Sequence, residues 1–71
     1  MEHYKNISGN SGVTAYEIKD ESVRVQFGHD SVYLYTYASA GKRNIEKMKK
    51  LAVEGAGLST YISRHVKDKY I

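Results

Sequence analysis

Two runs of strand-forming residues, joined by a short turn segment, lie in residues 22–37, SVRVQFGHDSVYLYTY. In the first run, Val23, Val25 and Phe27 alternate with polar residues, which places the apolar side chains on one face of a strand. The second run, residues 32–37, is rich in β-branched and aromatic side chains that favour strands. The stretch therefore predicts two antiparallel strands connected by a tight turn.

A further strand with one mostly polar face is predicted upstream, over residues 13–19, where Thr14, Tyr16 and Ile18 alternate with the other four residues. Residues 1–12 contain two glycines among small polar residues and are expected to form a flexible N-terminal arm. A chain of 71 residues is long enough for one domain only. We therefore expect a single domain over residues 13–71 that begins with a three-stranded meander.

The second half of the chain has the period of a helix. The apolar residues Ile45 and Met48 belong to one stripe of a helix whose predicted N-cap is Ser39 and whose predicted stop is Gly55. A second helical stretch runs from about residue 58 to residue 68. The predicted fold class is α+β, a three-stranded antiparallel meander covered on one face by two C-terminal helices (βββαα).

The register of the third strand decides where Tyr33, Tyr35 and Tyr37 point. If Phe27 lies opposite Val32, the three rings stand on the open face of the sheet and resemble a base-stacking platform. A one-residue bulge in the turn reverses the assignment and sends Tyr33 and Tyr35 into the core. The sequence leaves both registers open.

Charge is unevenly distributed along the chain. Residues 1–41 carry three basic and five acidic side chains, whereas residues 42–71 carry eight basic and three acidic ones. A basic helical face attracts phosphate groups, although the same face also suits a merely solvated surface. The basic residues proposed to contact nucleic acid are Arg24, Lys42, Arg43, Lys47, Lys50, Arg64, Lys67 and Lys69.

Several classes of function have no support in the sequence. The chain has no cysteine, so no disulfide or thiolate site is possible, and the cytoplasm is the expected compartment. No membrane-spanning run is present. His29, Asp30 and Ser31 are the residue types of a hydrolase triad, but chain neighbours cannot form the required relay of hydrogen bonds. We expect no catalytic site, metal, cofactor or small-molecule substrate.

Short motifs at matching spacing give a resemblance to a known family over about residues 14–70. The matching motifs are Tyr16, Val23-x-Val25-x-Phe27, Tyr33-Leu34-Tyr35, Tyr61-Ile62-Ser63-Arg64-His65-Val66 and Lys69-Tyr70. The chain resembles the KTSC domain family, named for the C-terminal region of certain lysyl-tRNA synthetases and also found as free-standing bacterial proteins. The resemblance implies a sheet packed by helices and a role in RNA binding.

Two functional hypotheses follow. The first is a small non-catalytic RNA-binding module in which the basic helical face meets phosphates and the sheet tyrosines stack on unpaired bases. The second is a protein interaction module that docks on another protein, or on a second copy of itself, through an open sheet face or an exposed strand edge.

Overall fold

The chain folds as a four-stranded antiparallel sheet followed by helical segments in a computed structural model, which describes residues 1–7, 9 and 11–71. The sheet order is β1-β2-β3-β4. The strands are β1 (Glu2–His3), β2 (Val13–Lys19), β3 (Ser22–Phe27) and β4 (Ser31–Thr36). The helical segments are α1 (Tyr37–Ala40), α2 (Lys42–Glu54), α3 (Leu58–Tyr61) and a π-helical segment (Ile62–Val66). The α+β class is confirmed, with one strand more than predicted.

The additional strand, β1, comes from the segment predicted as an arm. Glu2 and His3 pair antiparallel with β2. The next residue, Tyr4, is buried with 1% of its surface exposed, and its hydroxyl accepts a hydrogen bond of 3.3 Å from the Leu58 backbone N–H. Residues 2–4 are therefore built into the sheet and the core. Ser8 and Asn10 of the predicted arm lie outside the described residues.

The register between β3 and β4 places both tyrosines of β4 on the core face. Phe27 lies opposite Ser31, so three residues beginning with Gly28, at φ 65°, connect the strands. In this register Tyr33 and Tyr35 lie opposite the two buried valines of β3. Directly opposed residues of an antiparallel pair point to the same face. Of the two predicted registers, the inward one is therefore correct.

The helical half begins earlier than predicted. Thr36, rather than Ser39, is the N-cap: its hydroxyl accepts from the Ser39 N–H at 3.0 Å, while the Ser39 hydroxyl accepts from the Thr36 N–H at 3.0 Å. This reciprocal pair is a capping box, and it makes Tyr37 the first residue of α1 instead of a strand residue. Gly41, at φ 93°, separates α1 from α2. The predicted stop at Gly55 is confirmed by its left-handed conformation.

The core lies between the helices and one face of the sheet. α2 packs against β3 and β4, and the predicted stripe residues Ile45 and Met48 are fully buried, together with Ala52 of the same helix. His65, which lies in the second predicted helical stretch, is exposed. The buried residues are Tyr4, Val13, Val23, Val25, Tyr35, Ala40, Ile45, Met48, Ala52, Leu58, Ile62 and Val66. Among the described residues, no helix is long and apolar enough to cross a bilayer.

Candidate nucleic-acid interface

The sheet tyrosines do not form an open stacking platform. Tyr35 is 2% exposed and belongs to the core, where burial, followed by the neighbouring Tyr33 and Tyr70, raises its pKa to about 12. Tyr33 is half-buried on the same face of β4. Tyr35 is therefore not available to stack on a base, because the three-residue turn sets the register that turns its ring inward.

Tyr37 lies apart from the other two rings, at the start of α1. Its hydroxyl donates a hydrogen bond of 2.6 Å to the Glu46 carboxylate, which raises the pKa of Tyr37 to about 12. Lys42 Nζ and Lys49 Nζ lie 6.0 and 5.8 Å from the centre of the ring. Tyr37 is thus tied to α2 by polar contacts, and it is not part of a row with Tyr33 and Tyr35.

The outer surface of α2 carries a line of exposed cations. Arg43, Lys47 and Lys50 are all exposed and follow one another at spacings of four and three residues. Residues at these spacings are neighbours on one side of a helix. We call these three residues the basic stripe. Ile45 and Met48 anchor the opposite side of the helix in the core, which fixes the outward direction of the stripe.

The ion pairs of the described residues leave most of the predicted basic residues without a carboxylate partner. Three pairs are present, and they join Lys19 and Arg24 to Glu17 and Lys49 to Glu46. The remaining basic residues proposed from the sequence are all exposed and take part in none of these pairs. They are Lys42, Arg43, Lys47, Lys50, Arg64, Lys67 and Lys69.

Arg24 is separated from the other proposed basic residues. It lies opposite Leu34 in the register of β3 and β4, on the sheet face that points away from the core. Its guanidinium donates at 3.0 Å to the carboxylate of Glu17, the residue opposite it on the neighbouring strand β2. The structure therefore does not bring Arg24 together with the basic stripe, because the alternation of β3 turns it away from the helices.

An open groove lies between β4 on one side and α3 with the π-helical segment on the other. It has a volume of about 410 Å³, and we call it the aromatic groove. Phe27, Tyr33 and Tyr70 contribute rings, while Ser63 and Lys67 contribute polar groups from the helical side. The groove forms because the helical segments do not cover the turn end of the sheet, where Phe27 and Tyr33 stay half-buried.

The third ring of the groove is supplied by the last residues of the chain. Tyr70 meets Tyr33 at 4.6 Å between ring centres and Tyr35 at 6.2 Å, both edge to face. Backbone hydrogen bonds hold the residues on either side of Tyr70: Lys69 N–H donates to Val66 at 2.9 Å, and Ile71 N–H donates to Leu34 at 2.8 Å. The position of Tyr70 is thus fixed by main-chain contacts as well as by ring packing.

Comparisons with models of known protein families, with curated proteins and with solved structures give no match. The resemblance to the KTSC domain family therefore stays an expectation from the sequence motifs.

Tyr70 and Phe27 were missed as candidate site residues by sequence reasoning. Both belong to the motifs that carry the resemblance, but their convergence with Tyr33 depends on the chain returning to the edge of β4. The residue types of a hydrolase triad lie in and beside the turn before β4, and all three side chains are exposed. Within the described part of the chain, no group of three or more His, Asp or Glu side chains is placed to hold a metal ion.

Proposed function

We propose that this protein is a small non-catalytic RNA-binding module, as the resemblance to the KTSC domain family implies. One observation carries the proposal. Seven exposed cations lie on the helical half of the chain, and none of them is paired with a carboxylate among the described residues. The basic stripe on α2 is their most regular part.

Unpaired cations on a rigid helix suit a polyanion better than a single small anion. Each lysine or arginine that meets a phosphate releases a counterion from the nucleic acid, so affinity rises with the number of contacts and falls with salt. Cations paired within the protein, such as Arg24 with Glu17, must first give up that contact. The helical side is therefore the favoured binding surface, and the outer sheet face is not.

The proposal is tested by fluorescence anisotropy with labelled tRNA, single-stranded RNA and duplex DNA at about 50 and 200 mM salt, a range over which phosphate contacts weaken steeply. We expect RNA binding that weakens as salt rises. A variant with Arg43→Ala, Lys47→Ala and Lys50→Ala removes three contacts. It should lower the magnitude of the slope of log K against log salt by about 2 for single-stranded RNA, at about 0.7 per contact.

The matched control is Lys19→Ala. Lys19 is an exposed cation at the end of β2, and its side chain is 67% exposed. It lies on the sheet, is not part of the basic stripe and is already paired with Glu17, so its removal should change the salt slope little. Absence of binding to any RNA at low salt contradicts the proposal. A change of the salt slope that is as large for Lys19→Ala as for Arg43→Ala, Lys47→Ala or Lys50→Ala made singly contradicts it too.

Self-association is a second candidate, favoured by the outer face of the sheet. Val32 is 45% exposed on that face, beside the half-buried Leu34. A second copy of the chain, or another protein, would cover these side chains. Light scattering distinguishes the cases, because a monomer has a mass of 8.0 kDa and a dimer has twice that mass. A monomer at high protein concentration excludes self-association.

A further inference from the structure

We propose that the aromatic groove binds one unpaired nucleobase of the RNA. This inference rests on the proposed RNA-binding function and adds to it the feature that is recognised, a single-stranded base instead of a duplex. The inference also moves the stacking role away from the open sheet face. Tyr33 keeps that role, whereas Tyr70 and Phe27 replace Tyr35 and Tyr37 as its partners.

The rings of the groove meet one another without stacking. Phe27 and Tyr33 are 5.7 Å apart at an angle of 67°, and Tyr33 and Tyr70 are 4.6 Å apart at 69°. Edge-to-face contacts of this kind hold the rings in place without forming a parallel pair. A planar base entering the groove can therefore supply the parallel partner, and base–aromatic stacking is tolerant of base identity.

Polar groups in the groove match the remaining parts of a nucleotide. Ser59 and Ser63 line the helical wall, and their hydroxyls can both donate to and accept from the edge of a base. Asp68 places one carboxylate there, which suits an exocyclic amino group. Lys67 is exposed beside it and takes part in none of the ion pairs of the described residues, so it is available to the phosphate.

Charge distinguishes this groove from a second depression of similar size. The second depression has a volume of about 420 Å³ and includes Glu2 and Glu17 in its lining. Its lining contains no lysine or arginine, and the Glu17 carboxylate there is already paired with Lys19 and Arg24, so the lining offers no free basic side chain to a phosphodiester chain. The aromatic groove, at about 410 Å³, falls within the usual range of about 300–1,000 Å³ for small-ligand pockets. Its lining combines several aromatic rings with the cation of Lys67.

The test uses single-stranded RNA that contains one 2-aminopurine, a base whose fluorescence is quenched by stacking, and a blunt duplex of the same sequence. We expect quenching when the full protein binds the single strand, and weaker binding of the duplex. Ser63→Trp fills the groove from an exposed position and should weaken single-strand binding about 5- to 150-fold, the value of one stacked base. Tyr70→Ala removes one ring and should reduce the quenching.

Thr60→Trp is the matched control, because Thr60 is exposed on the adjoining helix α3 but does not line the groove. It introduces the same side chain and should leave affinity unchanged, with circular dichroism confirming that all variants fold. Salt-dependent RNA binding with no quenching and no loss in Ser63→Trp overturns the groove inference while the proposed function stands. Absence of RNA binding at low salt overturns both.

Discussion

Substitution of Gly55 tests whether the first residues of the chain are packed against the helices. Gly55 ends α2 in the left-handed conformation, at φ 80° and ψ 21°. A methyl group at this position would lie 2.6 Å from Lys5 Cβ and 3.2 Å from Lys5 Cγ. The Ile7 N–H also donates to the Gly55 carbonyl at 2.8 Å. Gly55→Ala therefore strains the backbone and forces the N-terminal segment to move.

Two costs add in this variant. A left-handed conformation costs a residue with a Cβ about 1–2 kcal/mol. Overpacking against an atom close to the backbone costs about 1–3 kcal/mol more. We expect Gly55→Ala to lower the free energy of unfolding by about 2–5 kcal/mol. The free energy of unfolding of a 71-residue protein is about 4–11 kcal/mol, so the variant loses a large part of its stability.

Gly57→Ala separates the two costs. Gly57 has nearly the same backbone angle, φ 81°, but the nearest atom to an added methyl is Leu51 Cδ2 at 3.8 Å, an ordinary contact. This variant should therefore lose about 1–2 kcal/mol, from the backbone alone. The measurement is urea unfolding of both variants, followed by circular dichroism. Equal losses in the two proteins would refute the packing of Lys5 against Gly55.

Two further substitutions test single hydrogen bonds. Tyr4→Phe leaves the buried Leu58 N–H without its acceptor and should lower the free energy of unfolding in urea by about 1–3 kcal/mol. The Leu58 amide should also exchange its hydrogen faster. An unchanged exchange rate would contradict the contact. Tyr37→Phe concerns the Glu46 carboxylate, whose pKa is lowered from 4.5 by hydrogen bonds from Tyr37 and Lys49. This carboxylate stabilises the fold above that pH and loses its contribution as the pH falls through the folded-state pKa. Tyr37→Phe should raise the pKa of Glu46, so the variant should lose less of its free energy of unfolding as the pH falls. Carboxyl NMR titration of both proteins measures the pKa. An unchanged pKa would exclude the Tyr37 hydrogen bond as a cause of the shift.

Periodic patterns made β2, β3 and α2 predictable from the sequence. The alternation around Val23 and Val25 has one solution, because a shift of one residue would bury Arg24 and Gln26. In α2, the apolar stripe likewise determines which face is buried, and the glycine determines where the helix ends. In these segments the local pattern and the packed core agree, so the sequence was sufficient.

Other parts of the fold depend on contacts between distant residues and gave no local signal. β1 has two residues, which are too few to show a period. Tyr4 is buried in contact with residues far away in sequence, and its hydroxyl bonds to Leu58 at the start of α3. The turn before β4 accepts either of two loop lengths with similar residues, so the direction of Tyr33 followed only from the pairing of Phe27 with Ser31. Tyr70 belongs to the groove through a contact with residues far away in sequence.

The core face of β4 changes character along its length, which explains how so small a domain can hold a core and a groove on one strand. Residues on the same face are about 6.8 Å apart. Tyr35 is buried where α2 packs on β4, Tyr33 is half-buried in the groove, and Ser31 is exposed at its end. Shortening the side chain at Tyr35 should therefore cost stability, whereas the same change at Tyr33 should mainly weaken base stacking. In the alternative register both rings would face away from the helices, and neither distinction would arise.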